Sequence, residues 1–260
     1  MEKNKKKVLL IGDFLSTGNM GGSLCEDVLS FYSLDIDFVP TALISNPFSI
    51  RPIEIFTTST YLKNTLEVFK KQEKKYDCIF IGFVEKGQEK IIKDFLKDTK
   101  IPIILDPIMG DNGSLYKSLD ESIIEVYKSI VEFSDIILPN QTEAGFLTEN
   151  RYERFQDMVD YFYEKDKKLI ITGVKEDNGH FIYAKDNETI KEEFTYIPQS
   201  FGGSGDLFDS LFIVAYLKGF NLKDSIKKAK DMTSKILQKQ VELFPDKSDL
   251  KLGEILKVIS

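Results

Sequence analysis

The residues best suited to chemistry stand in Phe201-Gly202-Gly203-Ser204-Gly205-Asp206-Leu207-Phe208, where three glycines precede an apolar helical run. Glycine lets the backbone approach a ligand closely and adopt positive φ. The first turn of the helix that follows presents unpaired N–H groups and a partial positive charge. Together these make a hole suited to an anion such as a phosphate. Asp206 stands in that first turn. The macrodipole alone favours an acid there, and a carboxylate beside a bound anion can also serve as a base.

Two further segments carry polar residues of this kind. Asp106-Pro107-Ile108-Met109-Gly110-Asp111-Asn112-Gly113 places two carboxylates five residues apart in a turn-rich stretch. Carboxylate oxygens suit a hard cation and the phosphate oxygens it polarises, and Asp-Asn-Gly is also ordinary turn chemistry. In Pro139-Asn140-Gln141-Thr142-Glu143, Asn140 has the type of a helix N-cap and Glu143 that of its N3 partner. Capping alone accounts for that pair. The one histidine, His180, follows the hairpin dipeptide Asn178-Gly179 and reads as a surface residue, so a multi-histidine metal site within one chain is excluded. Cys25 and Cys78 have no C-x-x-C spacing and read as reduced core thiols. The common nucleotide motifs are absent. Gly82 and Gly87 begin a P-loop spacing, but Gln88-Glu89 follow, and no G-x-G-x-x-G follows the first strand.

The elements that must position these residues alternate. Short apolar runs at 8–12, 36–44, 77–83, 101–106, 135–140 and 168–173 read as strands, with Pro40 near an edge or a bulge. Helical patterns at 22–34, 58–73, 86–98, 118–132, 141–147 and 153–165 separate them. Two antiparallel strands over 180–197, turning at Asp186-Asn187, and helices over 206–219 and 223–239 complete the chain. Such alternation predicts a three-layer α/β/α fold, a mostly parallel sheet with helices on both faces. Ligands of these sheets lie outside the carboxyl ends of the strands, here the loops after Gly12, Ile44, Gly82, Asp106, Pro139 and Gly173. The 260 residues show no repeat and no linker, which predicts one domain over 1–260. With 35 basic and 42 acidic side chains the net charge is −7, and the lack of a basic stripe argues against nucleic acid. Runs such as LFIVAYL fall short of the ~20 residues that span a bilayer. The apolar part of the basic start, MEKNKKKVLLIGD, is too short for a signal-peptide core. A cytoplasmic protein is expected.

DPIMGDNGSLY (106–116), PNQTEAGFLT (139–148) and GGSGDLF (202–208) occur in this order on this strand pattern. Together they resemble the motifs of pyridoxal kinases, within the ribokinase-like superfamily of ATP-dependent small-molecule kinases. The resemblance runs from the first strand to the penultimate helix. It implies ATP-dependent phosphorylation of the 5′-hydroxymethyl group of pyridoxal, pyridoxine or pyridoxamine. It further implies Mg2+, a monovalent cation and a homodimer.

Carried over position by position, Asp206 orients and finally accepts the proton of the acceptor hydroxyl. Gly203, Ser204 and Gly205 hold the transferring phosphoryl group with backbone N–H groups. Asp106 and Asp111 face the ATP phosphates and cation. Asn140 and Glu143 position magnesium, so that Asp106 and Glu143 are the metal-side carboxylates. Thr172 and Gly173 contact nucleotide phosphates. Asp13, Ser45, Asn46 and Phe83 fall at acceptor-side positions. At a helix N-terminus the Asp206 pKa is expected to be depressed, making it a weak base, which a loose phosphoryl-transfer transition state tolerates.

The departures lie on the acceptor side. Ser45-Asn46-Pro47-Phe48 stands where pyridoxal kinases commonly read Ser-Asn-His-Thr. Phe83 stands where tyrosine is frequent, and Leu138 where threonine is common. The loop DFLSTGNMGGSL (13–24) is longer and richer in glycine than usual. If this drift has cost affinity, Phe48→Thr should lower the pyridoxal KM. The alternatives are a hydroxymethylpyrimidine kinase of thiamine synthesis, a kinase for another hydroxymethyl heterocycle or a sugar, and a catalytically weak vitamin-binding paralogue. Pyrimidine kinases usually carry cysteine at the place of Asp206 and lack the Gly-Asp of MGD.

Overall fold

The structure, a computed structural model, describes residues 5–48, 50–199, 201–247 and 249–259. In chain order the first half comprises β1 (Lys7–Leu15), α1 (Gly21–Phe31), β2 (Asp35–Ile44), β3 (Ile55–Thr57), α2 (Ser59–Lys71), β4 (Cys78–Ile81), α3 (Gln88–Leu96), β5 (Ile103–Leu105), β6 (Gly110–Asp111), β7 (Ser114–Leu115) and α4 (Ser122–Val131). There follow β8 (Ile136–Ile137), α5 (Gln141–Leu147), α6 (Phe155–Tyr163), β9 (Lys168–Glu176), β10 (Gly179–Lys185), β11 (Thr189–Phe194), α7 (Ser204–Leu217), α8 (Leu222–Leu243) and α9 (Leu252–Ile259).

The near-continuous apolar strands are buried on both sides, as parallel strands must be. Along each strand successive residues feed opposite layers. Val8, Leu10, Phe80, Ile104 and Ile170 join one core, packed with α1, α7, α8 and α9. Leu9, Ile11, Ile79, Leu105 and Ile171 join the other, packed with α2 to α6. The strands form one nine-stranded sheet in the order β11-β10-β9-β8-β5-β4-β1-β2-β3. From β2 to β9 the neighbours run parallel, and β3, β10 and β11 are antiparallel additions. The expected α/β/α architecture is therefore the observed one. From β1 the chain moves to β2 on one side and then to β4 on the other, so the crevice at the carboxyl ends of β1 and β4 is a topological switch point.

Differences from the sequence reading have local causes. The register of β1 against β2 shifts between Gly12 and Phe14, beside Pro40, which lies opposite Gly12. That is the bulge a strand proline requires. β8 is two residues long where 135–140 was expected, because Pro139 and Asn140 already turn into α5. β9 runs past Gly173 to Glu176, since the hairpin with β10 extends it beyond its parallel neighbour. β3, the β6–β7 hairpin and α9 have no counterpart in the expected elements. The first two are too short for apolar periodicity to reveal. Among the described residues no helix is long and apolar enough to cross a membrane.

Candidate active site

The glycine segment enters α7 with Gly203 as N-cap in left-handed backbone, φ +84°. Among the described residues no side chain caps this end, so the Ser204 and Gly205 amides remain available to a ligand. The glycines differ in purpose. A Cβ on Gly203 would lie 2.9 Å from Asn19 O and from Leu24 Cδ1, and one on Gly202 would overlap Met20 Cε. Around Gly205 nothing lies within 4 Å of such a Cβ, so that glycine leaves room for an incoming group.

Asp206 Oδ2 accepts the Gly21 N–H at 2.9 Å. Gly21 opens α1 with φ +62°, and a Cβ there would stand 2.7 Å from both carboxyl oxygens of Asp13. The α1 N-terminus thus lies between two acids, one from β1 and one from α7. Asp13 is only 4% exposed, and its Oδ1 is buried without a hydrogen-bond partner among the described residues. Burial first, and then the Asp206 charge, push Asp13 up to about 7, against the pull of its own amide and that of Gly22. Burial also raises Asp206, outweighing the Gly21 hydrogen bond. The depressed value expected at a helix N-terminus is thereby corrected in direction: desolvation exceeds the pull of the Gly21 and Asp206 amides, so Asp206 holds its proton more tightly than an ordinary aspartate.

Asp106 at the end of β5 and Glu143 in α5 are 8% and 3% exposed. Glu143 Oε1 accepts from the amides of Met109 (3.0 Å) and Gly110 (3.4 Å), and its Oε2 accepts from Asn140 N–H (2.9 Å). Asn140 Oδ1 in turn accepts from Thr142 and Glu143 N–H, completing the capping box, and Asn140 Nδ2 donates to Gly110 O at 2.8 Å. The Asn140–Glu143 pair therefore fixes the 106–111 loop onto α5. Burial lifts Glu143 to about 8 despite these three donors. Asp106 is raised by burial and then by Asp209, Glu143 and Asp206.

Asp209 escapes the sequence reading. It lies one turn after Asp206, is 2% exposed, and its side chain is hydrogen-bonded to Asp106; burial raises it too. A lone acid inside the apolar run LFDSLFIVAYL was the available signal, because an acid is almost never buried without a partner.

The remaining sequence candidates divide. Thr172 N–H donates to Pro139 O (2.9 Å), and Thr172 bridges to Asn140, so Thr172 and the exposed Gly173 border the same end of the sheet. Asp111 lies on the exposed hairpin, where its oxygens accept from Asn112 N and Nδ2. Ser45 and Asn46 spend their polar groups on their own loop: Ser45 Oγ donates to Asn46 Oδ1 and accepts from Glu54 N–H, and Asn46 Nδ2 donates to Ile50 O. Phe83 is 1% exposed and belongs to a small apolar cluster with Leu15, Ala42 and Ile44, against which Met20, Phe48 and Ile108 pack. It lies under Phe48 rather than at an open surface. The cluster lies at the carboxyl ends of β1, β2 and β4. His180 stacks on Tyr196, with centroids 4.4 Å apart, as a residue of β10 away from these groups.

A buried acid with a raised pKa opposes folding once it must ionise. The folded state keeps the Asp13 proton from the ordinary 3.8 up to about 7, while the unfolded chain has already released it. Stability therefore falls as pH rises through that window. Asp13→Asn is expected to raise Tm at pH 8, with the gain shrinking towards zero near pH 4. Thermal melts across pH check this, and a gain independent of pH would reject the assignment.

A family model described as phosphomethylpyrimidine kinase matches residues 54–249. A Dictyostelium discoideum pyridoxal kinase is 26% identical over 237 residues, covering 80% of this chain and 77% of that protein. Among solved structures, a Bacteroides thetaiotaomicron protein crystallised with pyridoxal superposes with a TM-score of 0.89 at 23% identity, over 98% of this chain and 96% of that one. Plasmodium falciparum PdxK with the ligands AMP-PNP and PL gives 0.85 at 22% identity, over 98% and 95%. These structural likenesses show the ribokinase-like fold.

Proposed function

The chain belongs to the phosphomethylpyrimidine kinase family, and from that membership we propose that it transfers a phosphoryl group from ATP to the 5′-hydroxymethyl group of a B6 vitamer. One observation carries the reading. Asp206, a carboxylate whose pKa burial raises, stands at a glycine-lined helix N-terminus without a side-chain cap among the described residues, near the apolar cluster at the switch point. Phosphoryl transfer needs positioning and charge stabilisation more than covalent help. The α7 amides of Ser204 and Gly205 suit the transferring group. Asp206 suits the acceptor hydroxyl, whose proton it takes as the O–P bond forms. The named pyridoxal kinase relative and the pyridoxal and AMP-PNP complexes of the structural neighbours support this choice of substrates. Aspartate at 206 and the Gly110-Asp111 pair favour it over a hydroxymethylpyrimidine kinase.

The donor set fits magnesium. Burial first, and then neighbouring carboxyls, raise Asp106 and Asp209, so these carboxyls crowd together, and ionising them beside a triphosphate calls for a hard cation between. Among the described residues no three acids, cysteines or histidines converge on one point as a ready cage. Magnesium commonly binds through one or two carboxylates and the phosphates themselves. Asp106, with Glu143 through water, would hold it, and it would supply charge neutralisation at the phosphates.

The same reading includes one kinase domain, a cytoplasmic setting and a homodimer. The buried free thiols Cys25 and Cys78 support a reducing compartment. Phe14, Leu43 and Phe56 are partners in register across β1, β2 and β3 and are 41%, 43% and 65% exposed, an apolar row that a second copy would cover. The deciding test is magnesium-dependent ATP turnover with pyridoxal, pyridoxine, pyridoxamine and hydroxymethylpyrimidine supplied separately. Turnover with a vitamer and little with the pyrimidine is expected. The reverse preference would move the chain to the thiamine branch.

A further inference from the structure

Phe48 and Tyr116 come from opposite sides of the site and meet ring on ring, with centroids 5.6 Å apart and planes 10° from parallel. Phe48 belongs to the self-bonded loop after β2 and also packs on Phe83, at 5.2 Å and 57°. Tyr116 closes the β6–β7 hairpin, its N–H donating to Met109 O at 3.0 Å. That hairpin is fixed on α5 by Gly113 N–H to Thr142 Oγ1 (2.9 Å) and by Asn140 Nδ2 to Gly110 O. Burial first, and then the charges of Glu143, Asp111, Asp106 and Asp206, push the Tyr116 hydroxyl up, while its ring packs on Phe48. The stack thus joins the acceptor-side loop to the phosphate-side hairpin.

We propose that Phe48 is a specificity-determining residue: stacked on Tyr116, it latches these two segments together over the acceptor crevice and gives that crevice an aromatic wall for a flat heteroaromatic alcohol. The proposal rests on the kinase reading above for its substrate class but not for the latch itself. It reverses the sign suggested by the loop sequence, where Phe48 stands in the place of a threonine and Phe48→Thr would restore affinity. Here that substitution removes the wall and the link together.

The test uses the full chain and the variants Phe48→Ala, Phe48→Thr, Tyr116→Ala, Tyr116→Phe and the double alanine variant. An aromatic pair contributes about 0.5–1.5 kcal/mol beyond area burial, so loss of either ring should raise the pyridoxine KM by up to about tenfold. kcat should change less than KM. The double variant should lose less than the two single effects combined, because the two rings share one contact. Without any ligand, amide exchange over 110–116 should accelerate in Phe48→Ala and stay unchanged in β4, while Tyr116→Phe, which keeps the ring, should retain hairpin protection. A lower KM in Phe48→Thr, additive single effects, or unchanged exchange over 110–116 would each overturn the proposal. Accelerated exchange in a protein that phosphorylates no vitamer would leave the latch standing and remove the substrate reading instead.

Discussion

Asp206→Asn is expected to lower kcat by about 10²–10⁴-fold, the range over which a positioned base contributes, while KM for the acceptor moves little and the fold persists. The fold persists because the bonds that the carboxylate accepts, from Gly21 N–H to Oδ2 and from its own amide, can be kept by the amide oxygen of asparagine. Stability should be equal or higher at pH 8, since burial disfavours the charged form that asparagine never takes. The loss falls on kcat because the group acts on the reacting hydroxyl and not on ground-state binding. The raised pKa gives a second signature. The folded protein holds the Asp206 proton to a higher pH than an ordinary aspartate does, so kcat should climb with pH through a limb displaced upward, and that limb should vanish in the variant. Steady-state kinetics across pH together with melting curves decide the matter, and near-normal turnover by Asp206→Asn would remove the assigned role.

Much of the fold could be read in advance because both faces of its strands are apolar in alternation. Val8 and Leu10 serve one layer and Leu9 and Ile11 the other, and only a sheet covered twice gives that pattern. The Asn140–Glu143 capping box was legible because it is local, four residues long and chemically distinctive. What was not legible depended on distance or on competition between large terms. Phe48 and Tyr116 are far apart in the chain, and neither alone announces a partner. Asp209 looks like an interruption in an apolar helix until the fold brings it to Asp106. The direction of the Asp206 shift needed the balance between desolvation and the amides that donate to the carboxylate, which only the folded arrangement sets. Residues of the right type at Ser45 and Asn46 proved to be occupied by their own loop, a fact that spacing cannot show.

Gly203→Ala and Gly205→Ala should both abolish most activity, for opposite physical reasons, and their stabilities should part. Gly203 holds φ +84° as N-cap of α7, and an alanine there brings Cβ to 2.9 Å from Asn19 O and Leu24 Cδ1. The left-handed backbone alone costs an alanine about 1–2 kcal/mol, and Asn19 O is backbone that must move to relieve the overlap. A loss of about 2–4 kcal/mol follows, at roughly 2–4 °C of Tm for each kcal/mol in a chain of this size. Gly205 is exposed and lies inside the helix, and a methyl group added to it would meet nothing within 4 Å. Alanine there gains about 0.5–1 kcal/mol of helix preference, so Tm should hold or rise. Its methyl group nevertheless occupies the room through which a phosphoryl group reaches the first-turn amides, and kcat/KM for ATP should fall by at least about tenfold, somewhat less than the loss of a whole oxyanion donor costs. Melting curves beside ATP kinetics for the two variants separate a glycine kept for the fold from one kept for the ligand. A fully active Gly205→Ala would mean that the phosphate does not lie at the α7 N-terminus, and the assignment of Asp206 as base would fall with it.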